Sequence, residues 1–442
     1  MIPDQHGGVH PDDLSRRRTA VLERLGGGAM VLASAPIQFA SRDTERLYVA
    51  DRELFYVAGL TEPETVAVLV GGSEPRLVIF ARPRDADAEL WSGVRLGVEA
   101  AVEQAGADQG YPVSELAAEL PALLAGADRI HYRLGREDLV SSLVTGALTT
   151  ARAGGARQGT GPRGLIDPGE ILDELRLIKD DRELSALRAA CHVTAHGHRA
   201  GASRIQSGVG EWVIEAAING AFRESGATRP GFDTIVGGGQ NGCVLHYVSN
   251  DMRIPEDGLV LVDAGAEVAH YHGDITRTWP ASGRFTDVQR DVYELVDAAK
   301  RAGVEASTPG NTIMGVHAAA TAVLVAGLVD LGVLKGAPET LIETGAHKPF
   351  FPHQTSHWLG LDVHDPGDYQ RAGKPRELVP GMVFTVEPGL YFRPELCSGR
   401  ASRFAGIGVR IEDDVAITPN GCEVLTADIP TAADEVQGMV GG

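Results

Sequence analysis

Residues 13–175 alternate stretches of helical period, such as DDLSRRRTAVLERL, with short apolar runs of strand character: GAMVLASA, TVAVLVGG and PRLVIFA. Strands and helices taking turns in this way predict a small α/β domain. Around 153–170 the chain reads AGGARQGTGPRGLIDPG, rich in glycine and proline as a linker is. Helical periodicity returns in DPGEILDELRLIKDDRELSALRAACHVTAHGHRAGASR, with the acidic lead-in of a helix start. From about 230 the pattern becomes that of strands: FDTIVGG, CVLHYVS, GLVLVDAGAEV and GDITRTWPASG. Two helical segments, 286–306 and 311–333, come before the closing strands GMVFTVEPGLYF and GVRIEDDVAIT. The second half is therefore expected to be an α+β domain with a large, mainly antiparallel sheet. The chain should divide into domains 1–175 and 176–442, and it shows no short-period repeat.

A length of 442 residues agrees with two or three domains, and 43% hydrophobic residues suffice for sizeable cores. The formal net charge of −20, without a basic patch, argues against a nucleic-acid partner. Cys191, Cys243, Cys397 and Cys422 form no CxxC pair, which argues against a zinc ribbon or a disulfide framework and fits a reducing compartment. The start, MIPDQHGGVHPDD, has neither the basic nor the apolar segment of a signal peptide. The longest apolar run, TAVLVAGLVDLGVL (321–334), carries Asp330 and is short for a bilayer. These features predict a soluble, cytoplasmic protein with no membrane partner.

Candidate chemistry lies in the second half. In LVLVDAGAEVAHYHGDITRT, Asp263 ends an apolar strand and Asp274 starts another, as in a hairpin that brings the strand ends together. Two buried carboxylates side by side repel and lose hydration, and a cation relieves both penalties. The plainer alternative has Asp274 capping a turn and Asp263 half exposed. Glu387, in MVFTVEPGLYF, and Glu412, in GIGVRIEDDVAIT, are acids within apolar strands, poor core design unless oxygen ligands are needed. Asp413 and Asp414 read as a solvated strand end. PHQTSHWLGLDVHDPG (352–367) adds His353, His357 and His364, whose spacing alone does not say which is a ligand.

Four carboxylates and one histidine exceed a tetrahedral zinc site and suit two oxygen-loving ions, which activate water for hydrolysis. Rival motifs are weak. His353 and His357 have the spacing of HExxH without its glutamate, and GGGQNG (237–242) leads into CVLHY, a predicted strand, where a dinucleotide site needs a helix. Neither a Walker sequence nor a GxSxG elbow occurs. His6, His10, His131 and His317 lie outside these clusters and are expected on the surface or on helices.

NGCVLHY, VDAGAEVAHYHGDITRTWPASGRFT, SHWLGLDVHD, FTVEPGLY and GIGVRIEDD, in that order, closely resemble the aminopeptidase P family of pita-bread metallopeptidases. The likeness extends more faintly to the first domain, through FYVAGLTEPETVAVLV and LWSGVRLG. It implies an α+β pita-bread catalytic domain preceded by a smaller α/β, creatinase-like domain. It also implies two divalent ions, usually manganese, held by Asp263, Asp274, His357, Glu387 and Glu412, with Asp274 and Glu412 bridging. Glu387 would double as general base, His246, His353 and His364 would bind the peptide carbonyl and the tetrahedral intermediate, and Arg410 would support the site. Trp91 matches a tryptophan that approaches a neighbouring subunit's site, which implies a homo-oligomer, dimer or tetramer. The implied substrate is a peptide with proline second, cut to release its first residue. A prolidase confined to Xaa-Pro dipeptides shares fold and ligands, and a binding protein without catalysis shares the fold.

Overall fold

A computed structural model describes residues 9–155, 157 and 159–441, and these form two compact units that part between Leu175 and Arg176. His6 lies outside the described residues.

The first unit is built on a six-stranded sheet: β1 (Ala29–Ala33), β2 (Val66–Val70), β3 (Arg76–Ala81), β4 (Gln109–Pro112), β5 (Ile130–His131) and β6 (Leu165–Ile166). Their order is β4-β3-β2-β1-β5-β6, antiparallel through β1–β3 and parallel at both flanks. The central strands are buried on both faces, which is why they read as continuous apolar runs. One face is covered by Leu116, Leu120 and Leu124 of one helix and Val140, Val144 and Ala147 of another.

Two expectations fail here. Residues 153–170 are not one linker: the helix Asp138–Gly155 runs into them, Leu165–Ile166 supplies the edge strand, and a further helix starts at Gly169. Glycine and proline mark only the turn, and two apolar residues are enough to add an edge. His131, expected on the surface or a helix, is a strand residue only 3% exposed.

The long helix expected near 167–204 is two, Gly169–Leu177, which spans the division between the units, and α1 (Asp181–Ala202) of the second unit. Asp180 divides them: its side chain accepts from the N–H groups of Arg182 and Glu183, and Glu183 answers with a bond from the Asp180 N–H. Then come α2 (Glu211–Glu224), α3 (Asp287–Ala306) and α4 (Ile313–Asp330). Helix α4 starts well ahead of the apolar run read from sequence, and at 18 residues it is long and apolar enough to cross a membrane. Its stripe of Val316, Ala320, Leu324 and Leu328, at i, i+4 spacing, is fully buried, and its main neighbour is α3.

The strands of this unit that position the site are β7 (Ile235–Gly238), β8 (Leu259–Ala264), β9 (Ile275–Pro280), β10 (Val383–Val386), β11 (Gly389–Tyr391), β12 (Gly408–Arg410), β13 (Asp413–Thr418) and β14 (Gly421–Val424). They pair antiparallel, as expected, but in pieces rather than one large sheet: β9-β8-β7, β10-β13-β14 and β11-β12. The segment CVLHYVS is not a strand. A short helical turn, Gly239–Cys243, leads into an irregular loop. Its alternation has a real cause, because Cys243, Leu245 and Tyr247 pack toward Leu261 and Tyr391. Period-two burial arises here without a ladder partner.

Candidate metal centre

Asp263 stands in β8 directly opposite Thr276 of β9, and Asp274 precedes Thr276 by two residues. Alternation along a strand therefore puts both carboxylates on one face. Glu387 and Glu412 reach the same place differently from expectation, since neither lies inside a strand. β10 pairs with β13 and β11 with β12 in one unbroken register: Val386 faces Asp413 and Gly389 faces Arg410. The interruption holds Glu387 opposite Glu412 and Pro388 opposite Ile411. Proline has no N–H to give, so the ladder breaks there, while the Ile411 N–H still donates to the Pro388 carbonyl at 3.3 Å.

His357 is pinned by backbone bonds to β10. Its N–H donates to Thr385 Oγ1 at 3.2 Å, and its carbonyl accepts from the Thr385 N–H at 3.0 Å. The ring Nδ1 lies 3.0 Å from the Trp358 carbonyl and must be the donor there. Nε2 then carries the lone pair, and it faces Asp274 Oδ2 at 3.4 Å and Glu387 Oε1 at 3.7 Å. A lone pair aimed at two carboxylates is repulsive unless a proton or a metal ion lies between them.

Further signs agree with a cation. Ligand atoms of Asp274, His357 and Glu412 lie within 4.8 Å of one another. Asp263 Oδ1 and Asp274 Oδ1 are buried without a hydrogen-bond partner. Burial, then the neighbouring carboxylates, pushes the acids of Asp274 and Glu412 well above the ordinary range. Burial also raises Glu387, against the pull of His357 and Arg410. An oxygen-rich set with one imidazole, so placed, fits divalent metal.

Around the ligands lies a cavity of about 510 Å³, lined by all five and by His246, His353, His364 and Arg410. The fully buried Arg410 donates to Asp263 Oδ2 at 2.6 Å, Tyr391 Oη at 3.0 Å and Thr276 Oγ1 at 3.1 Å. Tyr391 Oη in turn lies 2.8 Å from His353 Nε2, while His353 Nδ1 is 2.7 Å from the Gln354 carbonyl. Nδ1 is thus a donor, Nε2 accepts from the tyrosine, and neither nitrogen is left over. Burial, then Arg410, lowers His353 to about 3, so the ring is neutral. His246 and His364 are exposed to the cavity. Burial, then His357, lowers His364. The two rings His357 and His364 meet edge to face at 4.3 Å.

Sequence reading missed Tyr391, two residues beyond the Pro388-Gly389 turn, and misjudged Asp413 and Asp414. These two are buried, at 2% and 0% exposure, not a solvated end. Asp413 accepts from Arg277 Nη2 and from Lys300 Nζ, both at 2.7 Å. Asp414, on the opposite face, accepts from the Asp274 N–H at 2.8 Å and from the Cys191 thiol at 3.2 Å. His317, on α4, bonds Thr355 Oγ1 at 2.8 Å and packs on Phe351, beneath the segment that carries His353. His10 caps the helix Pro11–Leu25. Trp91 belongs to the first unit, 88% exposed on the helix Ala86–Ser92.

Residues 185–419 match the model of metallopeptidase family M24, and residues 14–131 that of the aminopeptidase P N-terminal domain. The chain is similar to the Xaa-Pro aminopeptidase of Escherichia coli strain K12, 40% identical over 435 residues that cover 98% of each. It is 36% identical to the Xaa-Pro aminopeptidase of Haemophilus influenzae over 431 residues, 97% of each. Among solved structures it resembles proline aminopeptidase P II from Yersinia pestis, with a TM-score of 0.93 and 40% identity over 98% of this chain and 99% of that one. Zinc-substituted Escherichia coli aminopeptidase P in complex with product gives a TM-score of 0.92 at 40% identity, with 98% of both chains covered.

Proposed function

The chain belongs to metallopeptidase family M24, in its aminopeptidase P line, and from that premise we propose how its residues carry the reaction. It is a Xaa-Pro aminopeptidase that hydrolyses the bond between a peptide's first residue and a proline in second place. The observation that carries this reading is the His357 Nε2 turned toward the Asp274 and Glu387 carboxyls, an arrangement that a bound cation satisfies.

The enzyme binds divalent metal, and its donors are Asp263, Asp274, His357, Glu387 and Glu412. Five donors, four of them carboxylates, would suit two ions, with manganese favoured by the oxygen set. When bound, the ions supply the Lewis acidity that lets water attack an amide at neutral pH. Glu387 takes the proton of the attacking water, being buried yet open to the cavity. His246 and His364 offer N–H donors to the peptide carbonyl and to the negative charge that grows on it. His353, with both nitrogens engaged, serves by holding Tyr391 and through it Arg410. Phe232, Ile235, Leu245 and Val248 give the cavity an apolar wall for the proline ring. A tertiary amide has no N–H to satisfy there, so such a wall loses nothing to an unpaired donor.

Incubation with Mn²⁺ should release arginine from Arg-Pro-Pro, and chelator should abolish the release. Turnover of the dipeptide Ala-Pro alone would identify a prolidase instead. His357→Ala should lose metal and activity together, and metal analysis that shows full occupancy in this variant would remove His357 from the donor set.

The exposed Leu90, Trp91 and Val94, at 81%, 88% and 75%, form an apolar ridge that suits contact with a like subunit. We place Trp91 there, in a dimer or tetramer, beside a neighbouring site. The four free thiols suit a cytoplasmic setting.

A further inference from the structure

We propose that Arg176, Lys179 and Asp365 form a buried ionic clamp that positions His364 for its contact with the peptide. This inference rests on the role given to His364 above. The Asp365 and Lys179 side chains are each 1% exposed and that of Arg176 is 4% exposed. Asp365 Oδ1 accepts from Arg176 Nη2 at 2.6 Å and from the Asp362 N–H at 3.1 Å, and Oδ2 accepts from Lys179 Nζ at 2.9 Å. Arg176 Nη2 also reaches Asp362 Oδ2 at 2.7 Å.

The loop that carries His364 is wound around this carboxylate. The Asp365 N–H donates to the Trp358 carbonyl at 2.9 Å, and the Trp358 indole donates to the Gly367 carbonyl at 3.1 Å. A Cβ on Gly360 would stand 2.5 Å from Asp365 Oδ2, so the loop closes on the carboxylate only because position 360 has no side chain. The His364 ring makes no hydrogen bond to the protein among the described residues, so beyond its edge-to-face contact with His357 its place is set by the backbone around it. That backbone is anchored at the next residue, Asp365.

Stability is a poor explanation for the arrangement. Each buried ion forfeits its hydration, and apolar residues of the same volume are often as stable or more so. Burial pushes the Asp365 carboxyl up, but Lys179 and Arg176 prevail and hold it below its usual range, so the ion pairs persist. Fixed orientation of a neighbour is what such a cluster can provide.

The test is Lys179→Met/Asp365→Asn, which removes one charge of each sign and leaves Arg176 paired with Asp362. Steady-state kinetics on Arg-Pro-Pro, metal content and thermal midpoint are read in wild-type and His364→Ala backgrounds. In the wild-type background kcat should fall roughly 10–100-fold, the range for groups that orient functional residues, with KM and metal content unchanged. In the His364→Ala background the same pair should have almost no further effect, because the group it positions is gone. Equal losses in both backgrounds, or an unchanged kcat, would overturn the clamp. If His364→Ala itself keeps full kcat, the role assigned to His364 is what fails. Should the double variant not fold, Lys179→Met alone leaves Asp365 paired with Arg176 and should lower kcat in the same direction, and no loss there overturns the proposal.

Discussion

Glu412→Gln is expected to give a folded protein that holds little metal and is slower by about a thousandfold or more. A Lewis acid is worth several kcal/mol to amide hydrolysis, and roughly 4 kcal/mol is already ~10³-fold. The substitution keeps size and an acceptor for Thr276 Oγ1, now 2.6 Å from Glu412 Oε2. It removes one of four crowded acidic groups. Stripped of metal, the variant should therefore melt higher than the stripped wild type, by on the order of 1 kcal/mol or roughly 2–4 °C for a domain of this size.

The sign of the pH dependence follows from the same charges. In the metal-free fold Glu412 and Asp274 hold their protons above their ordinary range, because burial and the neighbouring carboxylates oppose ionisation. The folded state then binds more protons than the unfolded one once pH exceeds about 4, so stability falls as pH rises. Thermal melts of chelated protein should show a midpoint that drops with pH, more steeply in wild type than in Glu412→Gln. A flat profile in chelated wild type would mean that the carboxylates do not crowd as described.

Asp413→Ala is expected to be the most destabilising single change in this region, by about 3–5 kcal/mol, the usual effect of leaving buried charges without their partner. It would leave the Arg277 guanidinium, 0% exposed, with backbone carbonyls alone and the Lys300 ammonium, 8% exposed, with the more distant Asp297 at 3.9 Å as its only carboxylate. At roughly 2–4 °C per kcal/mol the midpoint should fall by about 6–20 °C. Arg277 also holds the Glu412 carbonyl, so metal affinity should weaken in the same variant. A loss below about 1 kcal/mol, the range of surface ion pairs, would show that water reaches this network.

That network also marks where sequence reading stopped. The periods that placed β1 to β3, α3 and both carboxylate-bearing segments were visible because they arise from local one-sided or two-sided burial. The four acids proposed as donors stood out for a related reason, since acids in an apolar setting need an explanation wherever they occur, whereas the choice of His357 rested on the family resemblance. Asp413 and Asp414 were misread because their partners, Arg277, Lys300 and Cys191, are more than a hundred residues away, and two adjacent acids look alike whether solvated or paired. CVLHYVS was misread because burial alone sets its alternation, and a missing ladder leaves no trace in composition. Tyr391 gave no signal, as a strand aromatic is ordinary until its hydroxyl is seen between His353 and Arg410. The ladder break at Pro388 was legible only in hindsight, as a proline within an apolar run.

The unbroken register across that break bears on how the enzyme can change. The connection between β11 and β12, residues 392–407, lies beyond both paired segments. Inserted or deleted residues there leave Glu387 facing Glu412, because β10 and β13 set the alignment independently. A single residue gained or lost at 387–388 or 411–412 would instead swing one glutamate to the far side of the ladder. Length variation among descendants of this gene should therefore collect in the connecting segment, and the four-residue break should tolerate none.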